Sequence, residues 1–147
     1  MKIVNRKAGF NYEFLEKFEV GIVLEGREVK SIRLGQIKLD ESFVQLDSEA
    51  AWLINCHISP YKFANNQDYN PTRRRKLLLH KQEALSLHKK MEGKNLTIVP
   101  VFCYTSGHKI KLELALARGK KNWDKREKIK KRDLAREQAK DLKLTSQ

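Results

Sequence analysis

The sequence has little cysteine and no long run of apolar residues. Two cysteines in 147 residues, Cys56 and Cys103, are too few for a disulfide framework and fit a reducing compartment. No stretch approaches the roughly 18 consecutive apolar residues that a membrane span needs. Residues 1–7 also lack the apolar region of a secretory signal. We therefore expect a cytoplasmic protein that is neither exported nor inserted in a membrane.

The short motifs of nucleotide-binding and hydrolytic enzymes are missing as well. The sequence contains no P-loop and no GxGxxG, HExxH or GxSxG pattern. Neither cysteine has a CxxC partner, so we predict buried or half-buried thiols in strands, no metal site and no cofactor. The four histidines are scattered, without a nearby carboxylate to orient them: His57, His80, His88 and His108. We predict that the protein is not an enzyme, and an RNA nuclease using His80 or His108 is the alternative.

Negative charge is scarce, because 18 Asp and Glu stand against 31 Lys and Arg, for a net charge of +13. Arg118 to Lys143 contains twelve basic and five acidic residues, a net of +7 that leaves +6 for residues 1–117. A charge of this sign predicts a polyanionic partner, and RNA is the abundant polyanion of the cytosol. Apolar alternation stops near Gly119. We therefore divide the sequence into an RNA-binding body, residues 1–117, and a basic tail, residues 118–147.

The body shows mainly the period-two pattern of β-strands. Strands are predicted at Phe18–Glu25, extended upstream through Phe14, Tyr12 and Phe10, and at Trp52–Ile54, Thr97–Tyr104 and Lys109–Ala117. The last two form a predicted hairpin, in which Pro100 indicates an edge or a bulge. Helices are predicted at Glu28–Arg33 and Lys81–Met91, followed by Gly35 and Gly93. Five or six short strands with one or two helices predict a mainly β fold, specifically a closed OB-type barrel with added short helices.

A cluster of four cations, Arg73–Lys76, lies between the Asn70-Pro71 turn and Leu77–Leu79. We predict a loop–helix junction here, where arginines could bind phosphates with bidentate geometry. A solvated basic loop is the alternative.

The basic tail has the spacing of a helix without an apolar face. Asp124 and Glu127 form a potential capping box, so we predict a helix that begins at Asp124. At 100° per residue, seven basic residues share one stripe: Lys121, Lys125, Lys128, Arg132, Arg136, Lys140 and Lys143. The apolar residues scatter around the helix, so packing on the body cannot stabilise it. We predict a tail that is disordered alone and helical against a polyanion, rather than a merely solvated tail or a membrane-surface helix.

Several segments, taken in order, resemble the small protein B family, the SsrA-binding proteins of bacterial trans-translation. They cover nearly the whole chain: Asn5–Ala8, Phe18–Ile22, Gly26–Arg33, Ser42–Val44, His57–Tyr61, Asn70–Leu79 and Ala117–Arg126. The resemblance implies an OB-type barrel with added helices. It also implies a cytoplasmic adaptor that binds the tRNA-like part of transfer-messenger RNA (tmRNA) and delivers it to stalled ribosomes. The tail would occupy the decoding centre and mRNA channel of the small subunit.

The resemblance also assigns site residues. For RNA binding these are Glu19, Leu78 and His80, to which we add Lys30, Arg33 and the basic cluster residues Arg73, Arg75 and Lys76. The ribosome-interacting set lies in the tail: Gly119, Lys120, Lys121, Trp123, Asp124, Lys125, Arg126, Lys128, Arg132 and Arg136. A ring at position 123 could stack on a decoding-centre base or dock the tail base on the body. We expect a monomer when free, and the alternative function is a general ribosome-associated or nucleic-acid-coating OB protein.

Overall fold

A computed structural model describes residues 1–48, 50–120 and 122–145, and it is mainly β with a few helices. Along the chain the elements are β1 (Lys2–Val4), α1 (Arg6–Asn11), β2 (Tyr12–Ile22), α2 (Gly26–Arg33), β3 (Ile37–Lys38), β4 (Phe43–Leu46), β5 (Ala51–Ile54), β6 (His57–Ile58), β7 (Arg75–Leu78), α3 (Lys81–Met91), β8 (Thr97–Ser106), β9 (Lys109–Gly119) and α4 (Asn122–Thr145). No helix of the described residues is both long and apolar enough to cross a membrane.

Seven strands form one antiparallel sheet in the order β1-β8-β4-β5-β7-β2-β9, and β8 also pairs with β9. Strands β3 and β6 form a separate two-stranded sheet. The predicted hairpin of β8 and β9 is confirmed, and its turn contains Gly107 at a φ of +61°. The register of β8 against β9 shifts between Pro100 and Phe102, which confirms the predicted bulge.

The core lies on the inner face of the large sheet. Alternate residues of β9 are buried as predicted, at Ile110, Leu112, Leu114 and Leu116. Val20 of β2, Leu53 of β5 and Leu77 of β7 join the same cluster. Because side chains alternate across a strand, the intervening residues of β2 and β7 point to the outer face.

Both predicted helices of the body are present. Helix α3 has the predicted bounds, Lys81–Met91, and α2 begins two residues before the predicted Glu28. Gly35 has a φ of +77°, and its N–H donates to the carbonyl of Ile32 at 2.8 Å, as expected for a glycine that ends a helix.

Two local predictions are wrong. Phe10 lies in α1 rather than in a strand, because the buried Asn5 side chain accepts the Ala8 N–H at 3.1 Å and starts a helical turn. The basic cluster does not precede a helix directly, since Arg75–Leu78 is strand β7 and α3 begins at Lys81. Leu77 is buried between β2 and β5, with which β7 pairs, so tertiary packing selects a strand.

Candidate nucleic-acid interface

Glu19 lies on the outer face of β2 and is anchored by two neighbours. Lys111 of β9 donates from Nζ to Glu19 Oε1 at 2.7 Å, and the Tyr104 hydroxyl of β8 donates to Oε2. About half of the Glu19 side chain stays exposed. Each carboxylate oxygen has a second acceptor site, so Glu19 is a fixed carboxylate that can still accept from a ligand.

Leu78 lies on the same face as Glu19, opposite the position two residues further along β2. It pairs with Gly21 of β2 across the β2–β7 ladder, and it is 60% exposed. A Cβ at Gly21 would come within 3.0 Å of Leu78 Cδ1, so the glycine lets the leucine side chain lie close over β2. The structure therefore brings two of the predicted RNA-binding residues together as an exposed apolar group beside an anchored carboxylate.

His80 lies two residues after the end of β7 and is exposed at the N-cap position of α3. It makes no side-chain capping hydrogen bond. Lys76, Leu78 and His80 are alternate residues at the same end of the basic cluster, and all three are exposed. These three predicted residues form a short exposed strip that follows β7 and extends past its last residue. The strip is polar at Lys76 and His80 and apolar at Leu78.

Trp52 and Arg74 extend this face toward β5. Arg74 belongs to the predicted basic cluster, whereas Trp52 was not predicted as a site residue. The Arg74 guanidinium lies 4.2 Å from the centroid of the Trp52 ring, and Trp52 pairs with Lys76 across the β5–β7 ladder. Trp52 Nε1 donates to Asp47 Oδ2 at 2.7 Å, which fixes the ring. An arginine stacked on an indole is a common platform in nucleic-acid sites. These residues come together through the pairing of β5 with β7, which cannot be deduced from their spacing in the sequence.

Arg75 does not belong to this surface, which corrects its prediction as a phosphate contact. It is fully buried. Its Nε donates to Glu28 Oε2 at 2.6 Å, Nη1 to the carbonyl of Cys56 at 2.6 Å and Nη2 to that of Pro71 at 3.0 Å. Arg75 lies on the inner face of β7, where only an ion pair makes its charge tolerable.

Glu28 of α2 is the centre of this buried network. It is fully buried, and besides Arg75 it accepts from Arg73 Nη2 at 2.5 Å. Burial raises the pKa of Glu28, but the backbone N–H of Glu25 and the two guanidinium groups outweigh burial, so the pKa lies below its ordinary value. Arg73 is half-buried and shared between the network and the surface. The network ties α2 to the chain that leads into β7.

Lys30 and Arg33, the other predicted RNA-binding residues, are exposed on α2. The Lys30 ammonium lies 5.5 Å from the centroid of the Tyr61 ring. Arg33 Nη2 donates to the carbonyl of His108 at 3.2 Å, in the hairpin turn between β8 and β9. These contacts place them with the loop after β6 and with the hairpin, rather than with Glu19 and Leu78.

The base of the tail is fixed to α1. The backbone N–H of Lys120 donates to the carbonyl of Asn11 at 2.9 Å, and its Nζ donates to the carbonyl of Gly9 at 3.2 Å. Gly119 pairs with Tyr12 at the end of the β2–β9 ladder. These contacts set the position from which the tail leaves the body.

The tail forms helix α4, which begins at Asn122, two residues before the predicted start. Arg126, Arg132 and Arg136 are exposed, and Leu134 is 56% exposed. Five predicted tail residues lie wholly or partly outside what the structure describes. Lys121 lies outside entirely, and the side chains do so for Trp123, Asp124, Lys125 and Lys128. That the tail is disordered without RNA stays a prediction.

The predicted burial of both thiols is confirmed, but Cys56 lies between β5 and β6 rather than in a strand. Cys56 and Cys103 are fully buried, and burial raises the pKa of each to about 12. Within the described residues, no three His, Cys, Asp or Glu side chains form a group that could hold a metal ion.

Comparisons with known proteins bear on this surface. A family model described as SmpB protein matches residues 2–144. The chain belongs to the SmpB family.

SmpB relatives match over most of their length. The SsrA-binding protein of Carboxydothermus hydrogenoformans is 52% identical over 133 residues, which cover 90% of this chain and 89% of that protein. The SsrA-binding protein of Sulfurihydrogenibium sp. is 51% identical, with 95% of this chain and 91% of that protein covered. A chain in the solved structure described as "tmRNA-SmpB: a journey to the center of the bacterial ribosome" is 43% identical with a TM-score of 0.69. The match covers 82% of this chain and 85% of that chain. The recognised resemblance is therefore confirmed.

Proposed function

We propose that this protein is the RNA-binding adaptor that binds the tRNA-like part of tmRNA and delivers it to stalled bacterial ribosomes. Membership of the SmpB family, with relatives named for SsrA binding and a similar chain in a tmRNA–SmpB structure, is the observation that carries this function. The net charge of +13 and the outer face around Glu19 and Leu78 fit a polyanionic partner. In this role the protein positions RNA and performs no catalytic step itself.

We infer that the sheet closes into an OB-type barrel. The support is the ring of pairings β8-β4-β5-β7-β2-β9, which returns to β8 through the additional β8–β9 ladder. Closure would remove the free edges of these strands and leave their outer faces for RNA.

We further propose that binding is divided between the two parts of the chain. The body, residues 1–117, would bind the tRNA-like RNA through Glu19, Lys76, Leu78 and His80, with Lys30, Arg33 and Arg73 as further contacts on other parts of its surface. The tail, residues 118–147, would act in the decoding centre and mRNA channel. A protein ending at residue 121 should therefore keep most of its affinity for tRNA-like RNA, as measured by fluorescence anisotropy at fixed salt. Loss of most of that affinity would contradict the division.

The RNA that copurifies with the protein from bacterial cells tests the function directly. We expect tmRNA to be strongly enriched over ribosomal and transfer RNA. A general coating protein would instead bind a tRNA-like fold and unstructured RNA equally in competition at the same salt concentration. Cleavage of the bound RNA that disappears in His80→Ala or His108→Ala would favour a nuclease.

A further inference from the structure

The loop between β6 and β7 exposes an aromatic side chain that the proposed surface does not use. Phe63 is 79% exposed, and Tyr61 contacts it edge to face with ring centroids 5.7 Å apart. A single exposed apolar side chain is ordinary at a protein surface, and this ring stands out by the aromatic and cationic side chains around it. The rest of its surface is open.

Cations surround this aromatic pair. The ammonium of Lys62 lies 5.7 Å from the centroid of the Phe63 ring, and that of Lys30 lies 5.5 Å from the Tyr61 ring. Neither lysine forms a salt bridge within the described part of the chain, whereas the nearby Arg27 is paired with Glu25 at 2.8 Å. The pair is therefore an apolar surface flanked by two uncompensated positive charges.

The loop that carries the rings is held in place. The carbonyl of Tyr61 accepts from the Ala64 N–H at 3.1 Å and from Asn66 Nδ2 at 2.8 Å. The Tyr69 hydroxyl donates to the carbonyl of Ile58 at 2.7 Å, and Arg27 of α2 donates to the carbonyl of Asn65 at 2.8 Å. Phe63 is thus presented by a fixed loop, which lowers the entropic cost of binding.

We infer that Tyr61 and Phe63, flanked by Lys30 and Lys62, form a stacking site for one unpaired base of the bound RNA. The base would cover the phenyl ring, and the two ammonium groups would neutralise the phosphates on either side of it. This inference rests on the proposed function and adds a second contact to it. The same loop leads into Arg73 and β7, so the stacking site is continuous along the chain with the outer face that carries Lys76 and Leu78.

An apolar protein partner fits these residues less well. It would bury the phenyl ring, but it would also have to desolvate two lysines without supplying a counter-charge. An unpaired RNA base is flanked by phosphates, so the base can stack on the ring while the phosphates pair with the two lysines.

The test compares Phe63→Ala, Phe63→Trp and wild type in binding the tRNA-like fragment of tmRNA at fixed salt. Loss of one stacked base should weaken binding of Phe63→Ala about 5-fold to 100-fold. Phe63→Trp should bind like wild type and should add tryptophan fluorescence that the RNA quenches. Phe43→Ala, which removes a partly exposed phenyl ring from β4, is the matched control and should leave affinity unchanged.

The outcomes separate this inference from the proposed function. Equal affinity of Phe63→Ala and wild type would overturn the stacking site while leaving tmRNA binding intact. Loss of peptide tagging on ribosomes without any loss of affinity for the tRNA-like fragment would assign the rings to a ribosomal partner and would also overturn it. Failure of the wild-type protein to prefer tRNA-like RNA over unstructured RNA would instead overturn the proposed function.

Discussion

The sheet and the terminal helix carry their positive charge in different ways. In the described part of the chain, every salt bridge joins residues within 1–118, as in Lys111–Glu19, Arg75–Glu28 and Arg118–Glu13. The arginines described on α4 are instead exposed, and so is the apolar side chain of Leu134 on the same helix. Paired charges fix side chains at defined positions, whereas an exposed basic helix depends on its partner for order. This contrast agrees with the proposed division, in which the body would recognise a folded RNA and the tail would follow a channel.

Changing the tail should have the largest effect, because it should abolish function without touching the body. Replacing Asp124, Lys125 and Arg126 with Ala should eliminate tagging of stalled chains in a translation assay. Affinity for tRNA-like RNA should stay nearly unchanged, since the body holds the proposed RNA contacts. A variant that tags stalled chains at the wild-type rate would refute the assignment of the ribosomal role to these residues.

Removing the buried carboxylate of Glu28 should have the next largest effect, and it should lower the stability of the body alone. Glu28→Ala leaves the fully buried Arg75 without its ion-pair partner, which should cost about 3–5 kcal/mol in the free energy of unfolding. Chemical denaturation measures this loss. Glu13→Ala, which breaks an exposed pair with Arg118, is the control and should cost at most about 1 kcal/mol.

The same carboxylate predicts a pH dependence. Because the pKa of Glu28 in the folded protein lies below its ordinary value of 4.5, its ionised form stabilises the fold above that pH. This contribution should be lost as the pH falls through the lowered pKa. Glu28→Gln should therefore show less loss of stability below pH 4.5 than wild type. An identical acid dependence in the two proteins would contradict a role for Glu28 ionisation.

Removing cations at the surface should have a smaller and graded effect. The slope of log affinity against log salt concentration should become shallower in both Arg74→Ala and Lys76→Ala. We expect a change of about 0.7–0.9 for each phosphate that is no longer neutralised. We choose these two because Arg75 is buried and Arg73 also binds Glu28. Lys94→Ala, at an exposed lysine after α3, is the control. Unchanged salt slopes for Arg74→Ala and Lys76→Ala would show that these two exposed cations are merely solvated.

Local periodicity predicted much of the fold. The alternation in β9, the β8–β9 hairpin and the bounds of α3 all follow from spacing and turn residues within one segment. The prediction at Phe10 is wrong because the helix start depends on Asn5. The Asn5 amide also donates to the carbonyls of Leu39 and Pro100, far away in the sequence. Contacts of that range leave no periodic signal.

The site residues were harder to predict from the sequence, because their contacts also join distant parts of the chain. Arg73, Arg74, Arg75 and Lys76 have similar chemistry, and only the strand register divides them into buried and exposed residues. Arg75 points inward to Glu28, 47 positions earlier, while Arg74 contacts Trp52. The anchoring of Glu19 by Tyr104 and Lys111 likewise needs the β8, β9 and β2 ladders in register. Predicting the strand pairing before assigning the site would have identified both the burial of Arg75 and the anchoring of Glu19.

The smallest expected signal is the helicity of the tail alone. A helix over Asn122–Thr145, 24 residues, would be about 36 Å long, enough to line a channel. Its basic stripe repels itself, and without an apolar face it gains nothing from packing, so a peptide of residues 118–147 should show little helix by circular dichroism in buffer. Adding a polyanion should raise the helical signal, because neutralising the stripe removes the repulsion. A scrambled peptide of equal composition, with its cations spread around the helix, should respond less. A stable helix in the isolated peptide would show that the tail is ordered before it reaches the ribosome, and the contrast between an ordered body and an adaptable tail would then be wrong.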